Sequence, residues 1–333
     1  MTTRPHLVLV GGFLGAGKTS LILAASRELA RRGMRSAAIL NDQGESLVDT
    51  GLARAQGFEA GEVTGGCFCC RLSELLRVAD ELRAHSPDVI FAEPVGSCTD
   101  LSATILQPLR YGDFELAPLT VLVDPAREYA DPHMRFLFDK QLEEADLIYY
   151  TKADLYPDHP GRRISARTGQ GVAAWLDEVL SGDHFSGQRV LEIDYAEYAR
   201  AEAALAWLNF ESTMDLDPPR SPAMLLGPVL DQIDRGLNTA GIAIVHLKAI
   251  DESPEGYLKA ALCANGQEPV VEGNLDASPA AHHRFRLNLR AVGEPAQVQS
   301  IVESALKEFG GGRLNCFSPS PPNPEQRFIE VRR

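Results

Sequence analysis

A three-layer α/β domain built on a mostly parallel sheet, followed by a smaller α+β domain, is the fold this sequence predicts, on three observations. An apolar run, Leu7 to Val10, leads straight into glycines and then into a helix-like stretch, SLILAASRELARR. Further short apolar runs alternate with helical patterns over the first 180 residues or so, the signature of strand and crossover-helix repeats. Beyond that point polar, glycine- and proline-containing stretches separate longer strand patterns and two helices. A length of 333 residues accommodates two such domains, and 44% hydrophobic residues suffice for their cores.

In chain order, strands are expected at 7–11, 36–40, 88–92, 119–123, 147–150 and 162–165, with helices at 18–32, 71–85, 133–144 and 171–180. The run at 88–92 is apolar throughout, as a parallel strand buried on both faces should be. The helix at 71–85 places Leu72, Leu75, Leu76, Ala79 and Leu82 on one face. The first domain is drawn at 1–182 and 183–222 as a linker plus the first element of the next, because SGDHFSGQ and DLDPPRSP fall there. The second domain, 223–318, has a helix over 224–237, a strand at 242–250 with a hairpin partner at 257–263, a strand at 285–292 and a helix at 295–309. With the strand through ALAWLNF, that order suggests a ferredoxin-like layer with an extra strand. Residues 319–333 form a proline-rich tail that ends in a short strand.

The turn after the first strand is chemically specific. Gly12 to Thr19 fits G-x-x-x-x-G-K-T in full, a phosphate loop of the P-loop nucleoside triphosphatases. Gly12, Gly15, Ala16 and Gly17 let the backbone curl so that successive N–H groups and the helix N-terminus face phosphate oxygens, with Ser20 in the first helical turn. Lys18 reaches the outer phosphates and Thr19 offers a hydroxyl to Mg2+. Glu93 ends the strand at 88–92, and Gly96 follows three residues later. A carboxylate there can hold the magnesium side, and a glycine amide can swing to the γ-phosphate. Asp42 belongs to the acidic run NDQGESLVD with Glu45 and Asp49, which is either a polar loop or a switch that meets the nucleotide metal.

Thr151-Lys152-Ala153-Asp154 follows the apolar run Leu147 to Tyr150 and resembles the N-K-x-D guanine motif, with Thr151 in place of Asn. Asp154 is suited to accept the N1–H and 2-amino protons that guanine has and adenine lacks, and the Lys152 stem to stack on the ring. Ser165, Ala166 and Arg167 match the S-A-[KR] loop that backs the base. GTP and GDP are therefore favoured over adenine nucleotides.

Cys67, Cys69 and Cys70 crowd into C-x-C-C just before the helix at 71–85. No signal-peptide core or apolar run of membrane-spanning length is present, so a cytoplasmic setting with reduced thiols is expected. Clustered thiolates select zinc, cobalt or copper(I), and three of them leave a fourth position open, which suits a site that hands its metal on. Packing alone or redox chemistry is the competing explanation for this triplet. For Cys98, Cys263 and Cys316, plain packing is the expectation, although Cys98 lies near the γ-phosphate sensor. His282-His283 reads as a polar loop. Lys and Arg total 32 against 46 Asp and Glu, a formal charge of -14, which argues against nucleic acid or an anionic membrane as partner.

Taken together, GGFLGAGKTS, NDQGE, GGCFCCR, Glu93-x-x-Gly96, TKAD and SARTGQG resemble the CobW-type GTPases, in the P-loop class that includes the urease and hydrogenase nickel-insertion GTPases. The resemblance covers roughly residues 5–180. It implies a GTP-hydrolysing metal chaperone, slow on its own, that delivers Zn2+ or Co2+ to a client metalloprotein. It puts Lys18 and Thr19 at phosphate and magnesium, Asp42 at the acidic switch and Glu93 on the magnesium side. Lys152 and Asp154 fall at guanine, and Cys67, Cys69 and Cys70 at the cargo metal. Gln43, Pro94-Val95 and Thr151 depart from the family pattern, as does the C-terminal region. Two other functions are compatible with the sequence: a GTPase gating assembly or reactivation of a metal- or corrinoid-dependent enzyme, with a structural thiol site, and a nucleotide-dependent interaction protein without hydrolysis. Client and oligomeric state are not encoded in any motif.

Overall fold

Short aliphatic runs bounded by glycines become parallel strands here because both of their faces are covered. In the computed structural model, residues 4–43, 57–309 and 311–329 are described. The chain forms two units, Met1–Ala201 with Pro321–Arg333, and Glu202–Ser320.

The first unit contains β1 (His6–Gly12), β2 (Ser36–Asn41), β3 (Glu59–Val63), β4 (Val89–Glu93), β5 (Glu115–Leu116), β6 (Thr120–Val123) and β7 (Leu147–Tyr150). The sheet order is β3-β2-β4-β1-β6-β7, with β5 also on β1, and every pairing is parallel. Its helices are α1 (Lys18–Arg31), α2 (Leu72–Arg83), α3 (Pro132–Glu144), α4 (Val172–Leu180) and, where the unit ends, α5 (Tyr195–Ala203). Leu21, Ile22 and Leu29 of α1 and Trp175 and Leu176 of α4 pack on Val8, Val10 and Phe91 in one apolar cluster. Leu7, Leu9 and Ile90, which alternate with those strand residues, are equally buried.

One expectation for this unit needs correcting, and two elements go beyond those expected. Residues 162–165 are not a strand: a single bridge joins Arg163 to Tyr150, after which the chain turns to carry Ser165. β3, whose sequence EAGEV shows no strand pattern, is a strand because β2 offers it a parallel edge. A helical run over 102–109 was masked in the sequence by Pro108, which sits within its last turn.

The second unit has β8 (Leu205–Arg220), α6 (Pro222–Thr239), β9 (Ala243–Ser253), β10 (Gly256–Leu262), β11 (Val270–Gly273), β12 (Ala280–Val292), α7 (Pro295–Ala305) and β13 (Arg313–Phe317). The antiparallel sheet runs β11-β10-β9-β12-β8-β13. Without the β10–β11 hairpin the order is 4-1-3-2, the ferredoxin-like arrangement. Leu226, Leu230 and Ile233 of α6 and Val298 and Val302 of α7 share a core with Leu208, Leu247, Phe285 and Leu287. DLDPPRSP, expected as part of a soft linker, instead prolongs β8 as far as Arg220, which pairs Ala280. The histidine pair expected in a loop lies on β12, where His283 is buried and its Nδ1 is 2.7 Å from Asp251 Oδ2. The tail does not stand apart: Pro321–Arg333 belongs to the first unit, and the short strand expected at its end extends beyond the described residues.

A buried polar network fixes the segment after β4. Gln141 Nε2 donates to the carbonyls of Gly96 (3.0 Å) and Cys98 (2.9 Å). Glu144, fully buried, accepts from Thr99 Oγ1 (3.1 Å) and Ser102 N–H (3.1 Å). Burial pushes the Glu144 carboxyl up to about 8, opposed by the Ser102 N–H and reinforced by nearby Asp100. A carboxyl held above its ordinary value of 4.5 keeps a proton that the unfolded chain releases. Its contribution to stability is full below that value and is lost as pH rises to about 8. Denaturant unfolding followed from about pH 5 to about pH 8 should show stability declining with pH, and Glu144→Gln should flatten that decline. An unchanged slope in the variant would count against a protonated Glu144.

Candidate functional site

The phosphate loop begins where β1 must end in glycine. Gly12 has φ 130°, and a Cβ there would lie 2.6 Å from the Leu122 carbonyl oxygen on β6. Gly15, Ala16 and Gly17 carry the chain into α1, which starts at Lys18; Ser20 is half-buried in its first turn. Lys18 Nζ donates to the Gly12 carbonyl (2.9 Å) and stands 4.0 Å from Glu93 Oε1. Thr19 Oγ1 donates to Glu93 Oε2 at 2.8 Å. Lys18, Thr19 and Glu93 thus meet, buried, where β1 and β4 end side by side. Their donor set fits a triphosphate with magnesium: a cation, a hydroxyl and a carboxylate converge on one point above a helix N-terminus. Gly96 lies against the loop, since a Cβ on it would be 2.9 Å from Leu14 N.

At the base end, Thr151 ties its loop to β6: its N–H and hydroxyl both donate to the Val123 carbonyl, at 2.8 and 3.2 Å. Lys152 adopts φ 56° and donates to Asp124 Oδ2 at 2.6 Å. Asp154 accepts from Ser165 Oγ (2.5 Å) on one oxygen and from Arg167 Nε (2.8 Å) on the other. The Ser165 hydroxyl, and after it Arg167, hold the Asp154 carboxyl below its usual range despite partial burial. Ala166 packs on the core between them. Thr151, Lys152, Asp154 and the 165–167 loop are therefore gathered at the end of β7, and Arg167 shares the carboxylate that would read the base.

The three clustered thiols meet as well. Cys67 Sγ is 3.0 Å from Cys69 Sγ and 3.1 Å from Cys70 Sγ, with Cys69 and Cys70 3.8 Å apart. No disulfide is formed among the described residues. A 3-10 turn over Phe68–Arg71 at the head of α2 produces this crowding. S–H donation from Cys69, Cys70 and Cys98 pulls the Cys67 thiol well below its ordinary value. Proximity to Cys67 pushes Cys69 up, and Cys70 up to about 11. Thiolates bind a divalent ion, so metal binding would expel protons from this group. Tetrahedral zinc at about 2.3 Å from each sulfur separates sulfurs by about 3.8 Å, so the trio needs only slight opening to hold it.

Several residues outside the motifs hold this site. Asn41, at the end of β2, donates from Nδ2 to the carbonyls of Val63 (2.9 Å) and Gly66 (2.7 Å) and accepts the Phe68 N–H (2.9 Å). It staples the thiol turn to β2, whose Leu40 pairs with Glu93. Asp42, next to it, donates its N–H to Val63 O at 3.2 Å. Glu45 and Asp49 lie outside the described residues. Arg127 donates to the Leu14 carbonyl of the phosphate loop at 2.7 Å. The tail covers the thiols from outside. Asn323 N–H donates to Cys70 Sγ (3.2 Å) and Glu325 N–H to Cys69 O (2.9 Å). Glu325 also accepts from Ser73 N–H (2.9 Å) and Oγ (2.6 Å), capping α2, and Arg327 pairs with buried Asp100 at 2.6 Å. In the sequence Asn41 shows only as the first residue of NDQGE, between a strand and an acidic run. The tail contacts join residues some 250 positions apart and left no local signal.

The family model for the CobW/HypB/UreG nucleotide-binding domain matches residues 6–171. The chain is 32% identical over 165 residues to the urease accessory protein UreG of Ureaplasma parvum serovar 3, covering 46% of this chain and 74% of that protein. It is 30% identical over 208 residues to the zinc chaperone CobW of Sinorhizobium sp, covering 52% of this chain and 54% of the relative. It is also 30% identical over 196 residues to the zinc chaperone YeiR of Escherichia coli, covering 53% and 52%. The chain spans about half the length of these two zinc chaperones. It belongs to the CobW/HypB/UreG family.

Removing the Asn41 side chain takes away its hydrogen bonds to the Val63 and Gly66 carbonyls and from the Phe68 N–H. Asn41→Ala should therefore cost about 1–3 kcal/mol in denaturant unfolding and weaken zinc binding in chelator competition. Zinc affinity equal to that of the wild type would show that the staple does not shape the thiol turn. Glu325→Ala should speed alkylation of Cys70 several-fold in the metal-free protein, read by mass spectrometry, because the tail loses its anchor on α2. An unaltered rate would mean the remaining contacts hold the tail in place.

Proposed function

We propose that this member of the CobW/HypB/UreG family is a GTP-hydrolysing carrier of a thiophilic divalent metal, zinc or cobalt, which it passes to a client metalloprotein. The observation that carries this reading is the placement of three free sulfurs, all within 4.8 Å of one another, on a turn stapled by Asn41 to the strand beside Glu93. The names of the relatives, zinc chaperones and a urease accessory protein, support metal handling.

In this mechanism the loop from Gly12 to Thr19 binds the phosphates, and Lys18 leaves the Gly12 carbonyl to reach the β- and γ-oxygens. Magnesium, held by the Thr19 hydroxyl on the Glu93 side, would neutralise charge on the phosphates. Asp154 accepts from guanine N1–H and the 2-amino group, with Arg167 sharing one of its oxygens, while the Lys152 stem covers the ring. Water attacks the γ-phosphorus as the bond to the bridging oxygen breaks, giving GDP and phosphate. In this reading turnover is slow for the protein alone. Gly96 lies on the phosphate loop and Asn41 on the thiol turn, so strand ends one position apart connect γ-phosphate to metal. The coupling must be reciprocal: if GTP changes zinc affinity, zinc changes GTP affinity by the same factor.

Zinc affinity measured against a competing chelator should differ about 5- to 150-fold between the GTP-analogue and GDP forms, the usual span of such couplings. Equal affinities would sink the carrier reading and favour a structural thiol site. For the base, Asp154→Asn replaces one of two acceptors by a donor, so GTP binding should weaken tenfold or more while xanthosine triphosphate, with an acceptor at position 2, gains. Retained GTP preference in that variant would remove Asp154 from the base-reading role.

A further inference from the structure

We infer that Cys98 is the fourth sulfur ligand of the cargo metal, brought to the thiol turn by the segment that also carries Gly96. The inference rests on the metal-carrier reading above. Three sulfurs leave one tetrahedral position unfilled, and a closed shell needs a fourth donor. Cys98 is buried, and its thiol hydrogen-bonds the Cys67 sulfur. It comes from the loop after β4, a different element from the thiol turn. Cys98 does not join the group in which all sulfurs lie within 4.8 Å of one another. A four-sulfur shell therefore needs its loop to advance towards Cys69 and Cys70.

Gly96 and Cys98 are tied together within that loop. Gln141 grips both the Gly96 and the Cys98 carbonyls, and Cys98 N–H donates to Val95 O at 2.9 Å, so a shift of Gly96 carries the Cys98 backbone with it. Gly96 is packed on Leu14 of the phosphate loop. The fourth metal bond is thus connected to the γ-phosphate pocket by two residues of chain. A site with three sulfurs in one state and four in the other differs in affinity by one metal–thiolate bond, which would account for capture and release without moving the thiol turn.

Two measurements on the full chain test the assignment. Cobalt(II) titration of the GTP-analogue form reads the thiolate-to-metal charge-transfer band, whose intensity scales with the number of bound thiolates. Cys98→Ser should retain the band with about a quarter of its intensity lost, one thiolate in four. Cadmium NMR of the unmutated protein needs no folded variant and should give a resonance in the four-sulfur range. A Cys98→Ser band as strong as that of the wild type, or a cadmium resonance in the three-sulfur range, overturns the role of Cys98 and leaves the carrier reading standing. Absence of any charge-transfer band in the wild type removes both.

Discussion

The parallel pairing of β1 and β2 on either side of β4 decides where the chemistry of this protein can occur. Parallel strands end on the same edge of the sheet, so the phosphate loop, Glu93 and Asn41 emerge side by side. The contact between Thr19 and Glu93 closes the phosphate side of that edge, and the three hydrogen bonds of Asn41 close the thiol side. A nucleotide site and a metal site on separate elements would have no shared part through which to influence each other. Here only one strand separates them.

The segment after β4 lies between the two sites, and buried polar groups hold it rather than apolar packing. Gln141, Glu144 and Tyr198 bind its backbone, and Asp100, at φ 63°, takes the Tyr195 hydroxyl and Arg327. Hydrogen-bonded networks of this kind have discrete arrangements rather than a continuum, because a half-satisfied buried network is costly. Protonation of Glu144 belongs to that economy: as a neutral acid it can lie beside Asp100 without a second buried charge.

The tail adds a condition on access. Its N–H groups address Cys70 Sγ and Cys69 O directly, and its side chains anchor on α2 and Asp100. The Glu325 and Arg327 anchors therefore hold the tail over Cys69 and Cys70. The second unit contributes a ferredoxin-like sheet extended by a hairpin, with its own core and a buried His283–Asp251 pair.

How much could be read from the sequence follows from the range of each interaction. Local patterns suffice for the phosphate loop, because G-x-x-x-x-G-K-T needs only its own backbone, and for most strands and helices, because periodicity of burial is local. The C-x-C-C spacing likewise determined that three sulfurs would meet on one turn, and the TKAD and SAR segments that their residues would share a loop cluster. The segment at 162–165 was misjudged and strand β3 missed, because sheet pairing, not composition, decides whether such short runs are strands. Asn41 as staple, Arg127 on Leu14, Cys98 on Cys67 and the tail over the thiols were decided only by tertiary structure. Each joins residues far apart in sequence, and the free energy that selects those contacts comes from satisfying buried polar groups, which no local pattern encodes.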